Sequence, residues 1–311
     1  MTAPSLHAGH AEINDELLEV VDQSYGLQIK VQRLLEGGEE SKNFLATTSA
    51  GNRVIRIGPS WRTSAELEWS YALAAHAATQ TAEPLAPCPT CDGKLVTRSA
   101  DRPLSIWPFV DGRHPDLESP ADRSLAAAVL ARLHRSLASW TGRSRRPETS
   151  PNAPVMRRPR RDPETLGDSE LDGWLEEWRR SRNRLIAPVH GDFWSHNLIC
   201  TESGTARVID WDDARVGSVE RELAWAVWEF CGNPEAGSLD PICASDFLDI
   251  YAANRGCVPV VDRSFVVPLI REHLRFEIRV ALAARERGGT YSEEYLDAEM
   301  RAFLKLRTRT L

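Results

Sequence analysis

The sequence has 311 residues, of which 42% are hydrophobic and 27% are charged, and its formal net charge at pH 7 is −7. This length suffices for one large domain or two lobes, and the acidic balance disfavours a general nucleic-acid-binding protein. No apolar run approaches the ~20 residues that a membrane span needs, so no membrane partner is predicted.

Residues 1–15 have neither the basic segment nor the apolar segment of an export signal, so we expect a cytoplasmic protein. Its six cysteines are then expected to be reduced thiols. Cys88 and Cys91 form a C-x-x-C pair, but a structural zinc site needs four ligands and no second close pair exists.

The first third of the chain is predicted to be rich in strands, with one main helix. Its elements are a strand at 27–35, a hairpin at 43–57, a helix at 63–78 and an apolar strand at 104–112. In the helix, Glu66, Trp69 and Leu73 share one stripe. This stripe is expected to face the sheet.

After residue 112 the pattern becomes helical. Ser119 and Pro120 are typical of a helix start, because serine caps the first turn and proline fits the first helical position. Residues 143–168 are rich in proline, arginine and serine and predict a surface loop. Further helices are predicted at 169–182, 219–231, 243–254, 264–287 and 292–307.

Residues 190–199, HGDFWSHNLI, hold several polar groups between apolar flanks. Residues 197–200 and 206–210 predict two strands of a short hairpin. The first and last residues of such a hairpin meet at its open end, so we expect Asn197 and Asp210 to lie side by side. Asp192 lies in the loop that enters the same hairpin.

One amide oxygen and one carboxylate suit Mg²⁺, which binds few protein ligands and completes its octahedron with phosphate oxygens and water. Asn197 and Asp210 are therefore candidate metal ligands. Asp192 would accept the proton of a hydroxyl and aim that hydroxyl at a phosphorus atom. The alternative is that all three residues only form turns, which Asp and Asn favour.

The pattern H-G-D-x-x-x-x-N followed by I-D-W-D resembles the aminoglycoside phosphotransferase/choline kinase superfamily, which is related to the protein kinases. The resemblance spans roughly residues 15–305. It implies an α+β, bilobal protein-kinase-like fold. A β-rich nucleotide-binding lobe with one main helix would occupy residues 1–106, a hinge residues 107–112, and a larger helical catalytic and substrate-binding lobe residues 113–311.

The resemblance also implies roles for individual residues. Asp192 corresponds to the catalytic aspartate, and Asn197 and Asp210 correspond to the magnesium ligands. Arg56 stands where the family has a lysine or arginine that contacts the α/β-phosphates, and a guanidinium suits that role. Glu66 resembles the helix glutamate that pairs with this cation.

Glu68 competes with Glu66 for that pairing, but Glu66 is favoured because it lies on the stripe expected to face the sheet. Backbone N–H groups of the loop at 37–41 would cover the phosphates, and the main chain at 107–110 would hold adenine. The implied nucleotide-contacting residues are Gly37, Gly38, Ser41, Arg56, Glu66, Trp107, Phe109 and Val110.

Two features depart from the family. The helix after the second aspartate commonly starts Asp-Leu-Ala, whereas here it reads Glu222-Leu223-Ala224. We expect the longer carboxylate to make the same structural hydrogen bonds. Glu39 and Glu40 follow Gly38 beside the phosphate position. They would weaken nucleotide binding unless both face solvent.

Candidate residues on the acceptor side are Asp212, Asp213, Trp225 and Trp228. The two aspartates either face a substrate cation or face solvent. The two tryptophans, three apart on one predicted helix, either line an aromatic cage or belong to the core. His190 is expected to support the catalytic loop through a hydrogen bond rather than to transfer protons.

The implied reaction transfers the γ-phosphoryl group of ATP (or GTP), with Mg²⁺, to a hydroxyl of a small molecule. The acidic stretch after Asp192 favours a cationic acceptor, and the arginine-rich segment favours a neutral or anionic one. We predict a monomeric or homodimeric antibiotic-resistance kinase whose acceptor is aminoglycoside-like or another antibiotic. The alternatives are a kinase for choline, homoserine or a similar alcohol, and a catalytically silent nucleotide-binding regulator.

Overall fold

A computed structural model describes residues 13–36, 40–142, 159–181, 184–259, 262–288 and 291–309. The helices are α1 (Asp15–Tyr25), α2 (Ser64–Gln80), α3 (Pro120–Ala138), α4 (Ser169–Arg180), α5 (Val219–Cys231), α6 (Pro241–Ala253), α7 (Val266–Glu286) and α8 (Glu293–Lys305). The strands are β1 (Ile29–Leu34), β2 (Lys42–Thr48), β3 (Gly51–Ile57), β4 (Thr97–Ser99), β5 (Arg102–Pro108), β6 (Ile186–Val189), β7 (Leu198–Cys200), β8 (Ala206–Val208), β9 (Arg215–Ser218), β10 (Gly232–Asn233) and β11 (Ser238–Leu239).

The N-terminal part is a five-stranded antiparallel sheet in the order β1-β2-β3-β5-β4. Successive side chains of a strand point to opposite faces. Ile55 and Ile106 pair across β3 and β5 and pack against α1. Their neighbours Val54 and Trp107 belong instead to the large core that includes α2. Arg56 therefore lies on the α2 face of the sheet.

Helix α1 was not predicted. It begins after Asn14, whose side chain accepts a hydrogen bond from the Leu17 N–H at 2.9 Å, and it ends at Gly26, whose φ of 63° is left-handed. The four-residue spacing of Leu17, Val21 and Tyr25 buries one face of the helix against the sheet. These capping and spacing signals are present in the sequence.

The remainder is mainly helical, as predicted. Ser119 caps α3 by accepting a hydrogen bond from the Asp122 N–H, and Pro120 occupies the first position of the helix. Helix α3 packs on α2 and α6, and α5 packs on α7, which packs on α8. The fold-class prediction, a β-rich part followed by a larger helical part, is confirmed.

Two short antiparallel pairs, β6–β9 and β7–β8, lie between the sheet and the helices. Strand β8 is tied to the segment after α2, because the Leu85 N–H donates to the Val208 carbonyl at 3.0 Å. The chain passes from β5 to α3 through residues 109–119. Gly112 lies against the Cys200 backbone, where a Cβ would collide with the carbonyl oxygen.

Cys231 and Cys243 form a disulfide, with their Cα atoms 5.5 Å apart. The expectation of reduced thiols is therefore wrong for this pair, which lies at the end of α5 and in the first turn of α6. Cys88 and Cys91 are free thiols. None of the helices in the described residues combines the length and apolarity that crossing a membrane requires. The Gly37-Gly38 turn and residues 143–158 of the arginine-rich segment lie outside the described residues.

Candidate active site

Asp192 and Asn197 are joined by the loop between β6 and β7. The Asn197 Nδ2 group donates to both the main-chain oxygen and the Oδ2 atom of Asp192, each at 2.8 Å. Both Nδ2 hydrogens are therefore directed at Asp192, and the amide oxygen Oδ1 is the atom left for another partner. Gly191, with φ 90°, has no room for a Cβ beside the Asp213 carbonyl oxygen.

The β7–β8 hairpin brings Asp210 to the same place. Leu198 pairs with Val208, and the Ile209 N–H donates to the Asn197 carbonyl at 3.0 Å. Asn197 and Asp210 thus extend from the open end of the hairpin. Asp210 has a φ of 59°, a left-handed conformation that non-glycine residues adopt infrequently and that often marks functional positions.

The pKa values of Asp192 and Asp210 are both raised above their ordinary values. Burial, together with the negative charges of Asp213 and Asp210, raises the pKa of Asp192 to about 7. Burial also raises the pKa of Asp210, although the Arg56 guanidinium opposes this rise. Carboxylates that repel one another in a buried site favour a bound cation or proton.

A buried hydrogen-bond network supports the loop that carries Asp192. Glu222 accepts hydrogen bonds from the His190 N–H at 3.2 Å, from the Gly191 N–H, and from His134 Nε2 at 2.8 Å. His134 Nδ1 in turn contacts the Tyr251 hydroxyl at 2.8 Å. The departure from aspartate to Glu222 therefore keeps a carboxylate that supports the loop.

His190 is buried, and burial lowers its pKa. Its Nε2 atom lies 3.0 Å from the Ile209 carbonyl, and its Nδ1 atom accepts from the Asp192 N–H at 3.3 Å. These partners fit a neutral imidazole protonated on Nε2. The contacts match the supporting role expected for His190.

Arg56 connects the sheet to the loop that carries Asp210 and Asp212. Its Nη2 atom lies 2.8 Å from Asp210 Oδ1 and 2.8 Å from Asp212 Oδ2. Asp212 is also held by the Tyr71 hydroxyl of α2, which donates to Oδ1 at 2.8 Å. Burial alone would raise the pKa of Asp212, but Arg56 and Arg62 hold it below its ordinary value.

Glu66 forms an ion pair with Arg62 at 3.4 Å. Arg62 also reaches Asp213 at 3.0 Å and Glu40 at 3.2 Å, so it links the loop after Gly37-Gly38 to the loop after Asp210. Glu68 instead accepts from the Leu95 and Val96 N–H groups. Arg62 and Tyr71 were missed by sequence reasoning.

The remaining residues predicted to contact the nucleotide are Trp107, Phe109, Val110 and Ser41. The Trp107 side chain is buried, with Nε1 donating to Ser105 Oγ at 2.9 Å. The Phe109 N–H donates to the Asn52 carbonyl at 3.2 Å, and Val110 is half-buried. Ser41 is buried, and its hydroxyl has no hydrogen-bond partner within the described residues.

The four predicted acceptor-side residues are not brought together. Asp212 is buried between Arg56 and Tyr71, and Trp228 is 3% exposed within the core. Neither presents its side chain to an open surface. Asp213 is half exposed beside Arg62, and Trp225 stacks on His273.

The donor set suits Mg²⁺ bound together with phosphate. Asn197 offers an amide oxygen and Asp210 a carboxylate, both hard oxygen ligands of the kind that Mg²⁺ selects. Within the described ranges, no group of three His, Cys, Asp or Glu side chains is arranged to hold a metal by itself. A site that relies on two protein ligands, with phosphate oxygens as the others, is consistent with that finding.

Comparison with known proteins agrees with this geometry. The profile described as the phosphotransferase enzyme family, APH, matches residues 31–257. The chain belongs to this family. It is therefore a phosphotransferase that acts on small molecules, and the family resemblance read from HGDxxxxN and IDWD is confirmed.

Among its relatives, this phosphotransferase is 24% identical over 257 residues to a homoserine kinase of Methylocella silvestris, which covers 80% of this chain and 79% of that protein. Solved structures that share its fold include two small-molecule kinases. A spectinomycin phosphotransferase, APH(9)-Ia, solved with ADP and spectinomycin, has a TM-score of 0.62 and 15% identity and covers 96% of both chains. A microcompartment-associated aminopropanol kinase has a TM-score of 0.67 and 21% identity. The match covers 92% of this chain and 93% of that kinase.

Proposed function

We propose that this phosphotransferase transfers the γ-phosphoryl group of ATP to a hydroxyl of a small alcohol metabolite, with homoserine as the first candidate. The observation that carries the proposal is the convergence of Asp192, Asn197 and Asp210 at the open end of the β7–β8 hairpin. The homoserine kinase relative supports the acceptor class.

Asp192 is the residue proposed to receive the acceptor hydroxyl and its proton. A pKa raised to about 7 gives its carboxylate proton affinity near neutral pH. A general base works best in that range. Asn197 orients the carboxylate through its hydrogen bond to Oδ2, and its second hydrogen bond, to the Asp192 main-chain oxygen, fixes the backbone there.

Asn197 Oδ1 and the Asp210 carboxylate would hold Mg²⁺, which when bound supplies positive charge to the phosphates. Arg56 would bind phosphate oxygens through its guanidinium. A divalent cation bound by Asp210 would compete with Arg56 for that carboxylate. Asp212, held by the Tyr71 hydroxyl, would still pair with Arg56. Positioning and charge stabilisation would therefore supply most of the rate acceleration.

The antibiotic acceptor predicted from the sequence has weaker support than the metabolite. It rests on a fold shared with a spectinomycin phosphotransferase at 15% identity, whereas the homoserine kinase matches 80% of the chain at 24% identity. A silent nucleotide-binding regulator is disfavoured because Asp192, Asn197, Asp210 and Arg56 are all present. ATP is the first nucleotide to test, because the spectinomycin phosphotransferase that shares the fold was solved with ADP.

The test is an acceptor screen with Mg·ATP, read by mass as the addition of one phosphate. Homoserine, choline, 3-aminopropan-1-ol and spectinomycin would be offered to the wild type and to Asp192→Asn. We expect phosphorylation of homoserine or a related alcohol, and loss of roughly 100-fold or more in the variant, because a general base contributes that much. Nucleotide binding without turnover of any acceptor would favour the regulator instead.

A further inference from the structure

A cavity of about 380 Å³ opens between the second half of α3 and the end of α6, outside the residues assigned to the active site. The described residues that line it are Arg132 and Arg135 of α3 and Ala253, Asn254 and Arg255 at the end of α6. Three of these residues carry a guanidinium, and none carries a carboxylate. A pocket of this size can hold a small metabolite. It is called the arginine cavity below.

The positive charge of the arginine cavity is only partly neutralised. Arg132 pairs through Nε with Glu83 at 2.7 Å. Arg135 Nη1 donates to the Asn254 main-chain oxygen at 2.8 Å, so its partner is the end of a helix and not a carboxylate. Within the described ranges, neither Arg135 nor Arg255 has a carboxylate at ion-pair distance. A bound anion would relieve the repulsion between these like charges.

A structural role accounts for one of these two arginines but not for the other. Arg135 satisfies a carbonyl at the C-terminal end of α6, which is a common use of arginine. Arg255 is exposed and has a φ of 59°, a left-handed conformation that glycine or asparagine usually adopts after a helix. An arginine there costs conformational energy, and such outliers often mark functional positions.

The arginine cavity is built on the same two helices as the network that supports the Asp192 loop. His134 lies between the two arginines of α3, and its ring contacts both Glu222 and the Tyr251 hydroxyl at 2.8 Å. Tyr251 lies on α6, one turn before Asn254. Gly256 packs so closely on the Tyr251 ring that a Cβ would collide with it. An occupant that binds both helices would therefore stabilise the contact that holds His134 and Tyr251 together.

The charge and geometry of the arginine cavity fit a phosphate monoester. A monoester carries a charge of about −1.5 to −2 at pH 7, which matches two guanidiniums without countercharge. A single carboxylate would neutralise only one of them. Guanidiniums also bind phosphate oxygens through paired hydrogen bonds. The organic part of the ligand would occupy the remaining volume.

We propose that the arginine cavity binds a phosphate monoester at a site separate from the proposed ATP site. Arg135 and Arg255 supply the main contacts, and Arg132, anchored by Glu83, forms the wall beside them. This inference goes beyond the proposed function, because it does not depend on which acceptor is phosphorylated. The bound monoester stabilises the packing of α3 on α6 and, through it, the support of the Asp192 loop.

The first test measures thermal unfolding of the full chain with O-phosphoserine, serine or inorganic phosphate at constant ionic strength. We expect about 10 mM O-phosphoserine to raise the unfolding temperature by about 2 °C or more, because a ligand that binds only the folded state stabilises it. Serine should cause no shift. An equal shift with inorganic phosphate would overturn the assignment to a monoester in favour of free phosphate. The absence of a shift with either phosphate would overturn the inference.

The second test uses Arg255→Gly, which removes the guanidinium while glycine keeps the left-handed backbone without strain. The variant should be at least as stable as the wild type without ligand and should lose most of the shift with O-phosphoserine. Calorimetry should show binding of O-phosphoserine weakened by about tenfold or more. Arg287→Gly is the matched control, because Arg287 is also an exposed arginine at a helix end. A shift of wild-type size in Arg255→Gly would overturn the inference.

A third variant separates the arginine cavity from the active site. Arg56→Gln removes the cation proposed to bind the nucleotide phosphates and should keep the full shift with O-phosphoserine. Arg255→Gly should in turn bind Mg·ATP as the wild type does. Loss of the O-phosphoserine shift in Arg56→Gln would place the ligand in the active site and would overturn the inference.

Discussion

Replacing Glu222 with glutamine tests whether the loop that carries Asp192 depends on its buried support. The Oε1 atom accepts from the Gly191 N–H, and the Oε2 atom accepts from the His190 N–H at 3.2 Å and from His134 at 2.8 Å. An amide replaces one oxygen with a donor. Whichever way it turns, one backbone N–H of the loop then faces another donor instead of a carboxylate.

The expected effect follows from these contacts. Losing one charge-assisted hydrogen bond and leaving a buried N–H without an acceptor each cost about 1.5–3 kcal/mol, so the free energy of unfolding should fall by roughly 3 kcal/mol or more. The unpaired N–H lies within two residues of Asp192. A displacement of ~1 Å at that position would lower kcat about 100-fold.

Urea unfolding and steady-state kinetics with the identified acceptor would measure both effects. Glu220→Gln is the matched control, because Glu220 is also buried on α5 but accepts from the Leu185 N–H at 2.7 Å and from the Ser218 hydroxyl. It should lower stability and leave kcat nearly unchanged. Glu222→Asp, the residue common in the family, should keep most of the activity. If Glu222→Gln kept kcat within about threefold of wild type, the supporting role would be refuted.

Three further predictions concern other charged contacts. Arg62→Ala should weaken Mg·ATP binding by about tenfold, because Arg62 pairs with both Glu40 and Asp213. Calorimetry measures the affinity, and an unchanged affinity would refute the role of Arg62 in joining these two loops. Tyr71→Phe removes the hydroxyl that donates to Asp212, so it should raise KM for ATP and lower the free energy of unfolding by ~1–3 kcal/mol. A wild-type KM for ATP would show that Asp212 does not depend on the Tyr71 hydrogen bond. Asp168 is buried and pairs with the buried Arg271 and the exposed Arg307. Burial alone would raise its pKa, but the Leu171 N–H and the two arginines hold the pKa below its ordinary value. Its contribution to stability is therefore present above pH ~4 and is lost as pH falls further. Asp168→Asn should therefore destabilise the protein by about 3 kcal/mol at pH 7 and show a shallower loss of stability below pH 4; parallel acid-unfolding curves for variant and wild type would contradict this.

Local signals in the sequence predicted most helices well. The Ser119-Pro120 start of α3 and the predicted range 219–231 of α5 match the structure, because capping and apolar spacing are properties of neighbouring residues. Helix α1 carries the same signals but was not predicted. It is short, its outer face is polar, and the elements predicted around it in the first third of the chain are strands. The β7–β8 hairpin was predictable because its strands are joined by a short turn.

The partners of charged residues were less predictable. The resemblance implied that Glu66 would pair with Arg56, and this stays a prediction. The ion pairs of Arg56 with Asp210 and Asp212, and that of Glu66 with Arg62, were not predicted. Arg56 and Asp212 are more than 150 residues apart, so their contact depends on how the sheet packs against the loop that carries Asp210 and Asp212.

The central claim is that Asp192, Asn197 and Asp210 meet around a divalent cation that bears a nucleoside triphosphate. Calorimetric titration of Mg·ATP into wild type, Asp210→Asn and Asp192→Asn tests it most directly. We predict that Asp210→Asn weakens magnesium-dependent ATP binding by at least about tenfold, whereas Asp192→Asn binds Mg·ATP nearly as wild type does and loses only turnover. Wild-type affinity for Mg·ATP in Asp210→Asn would contradict the account.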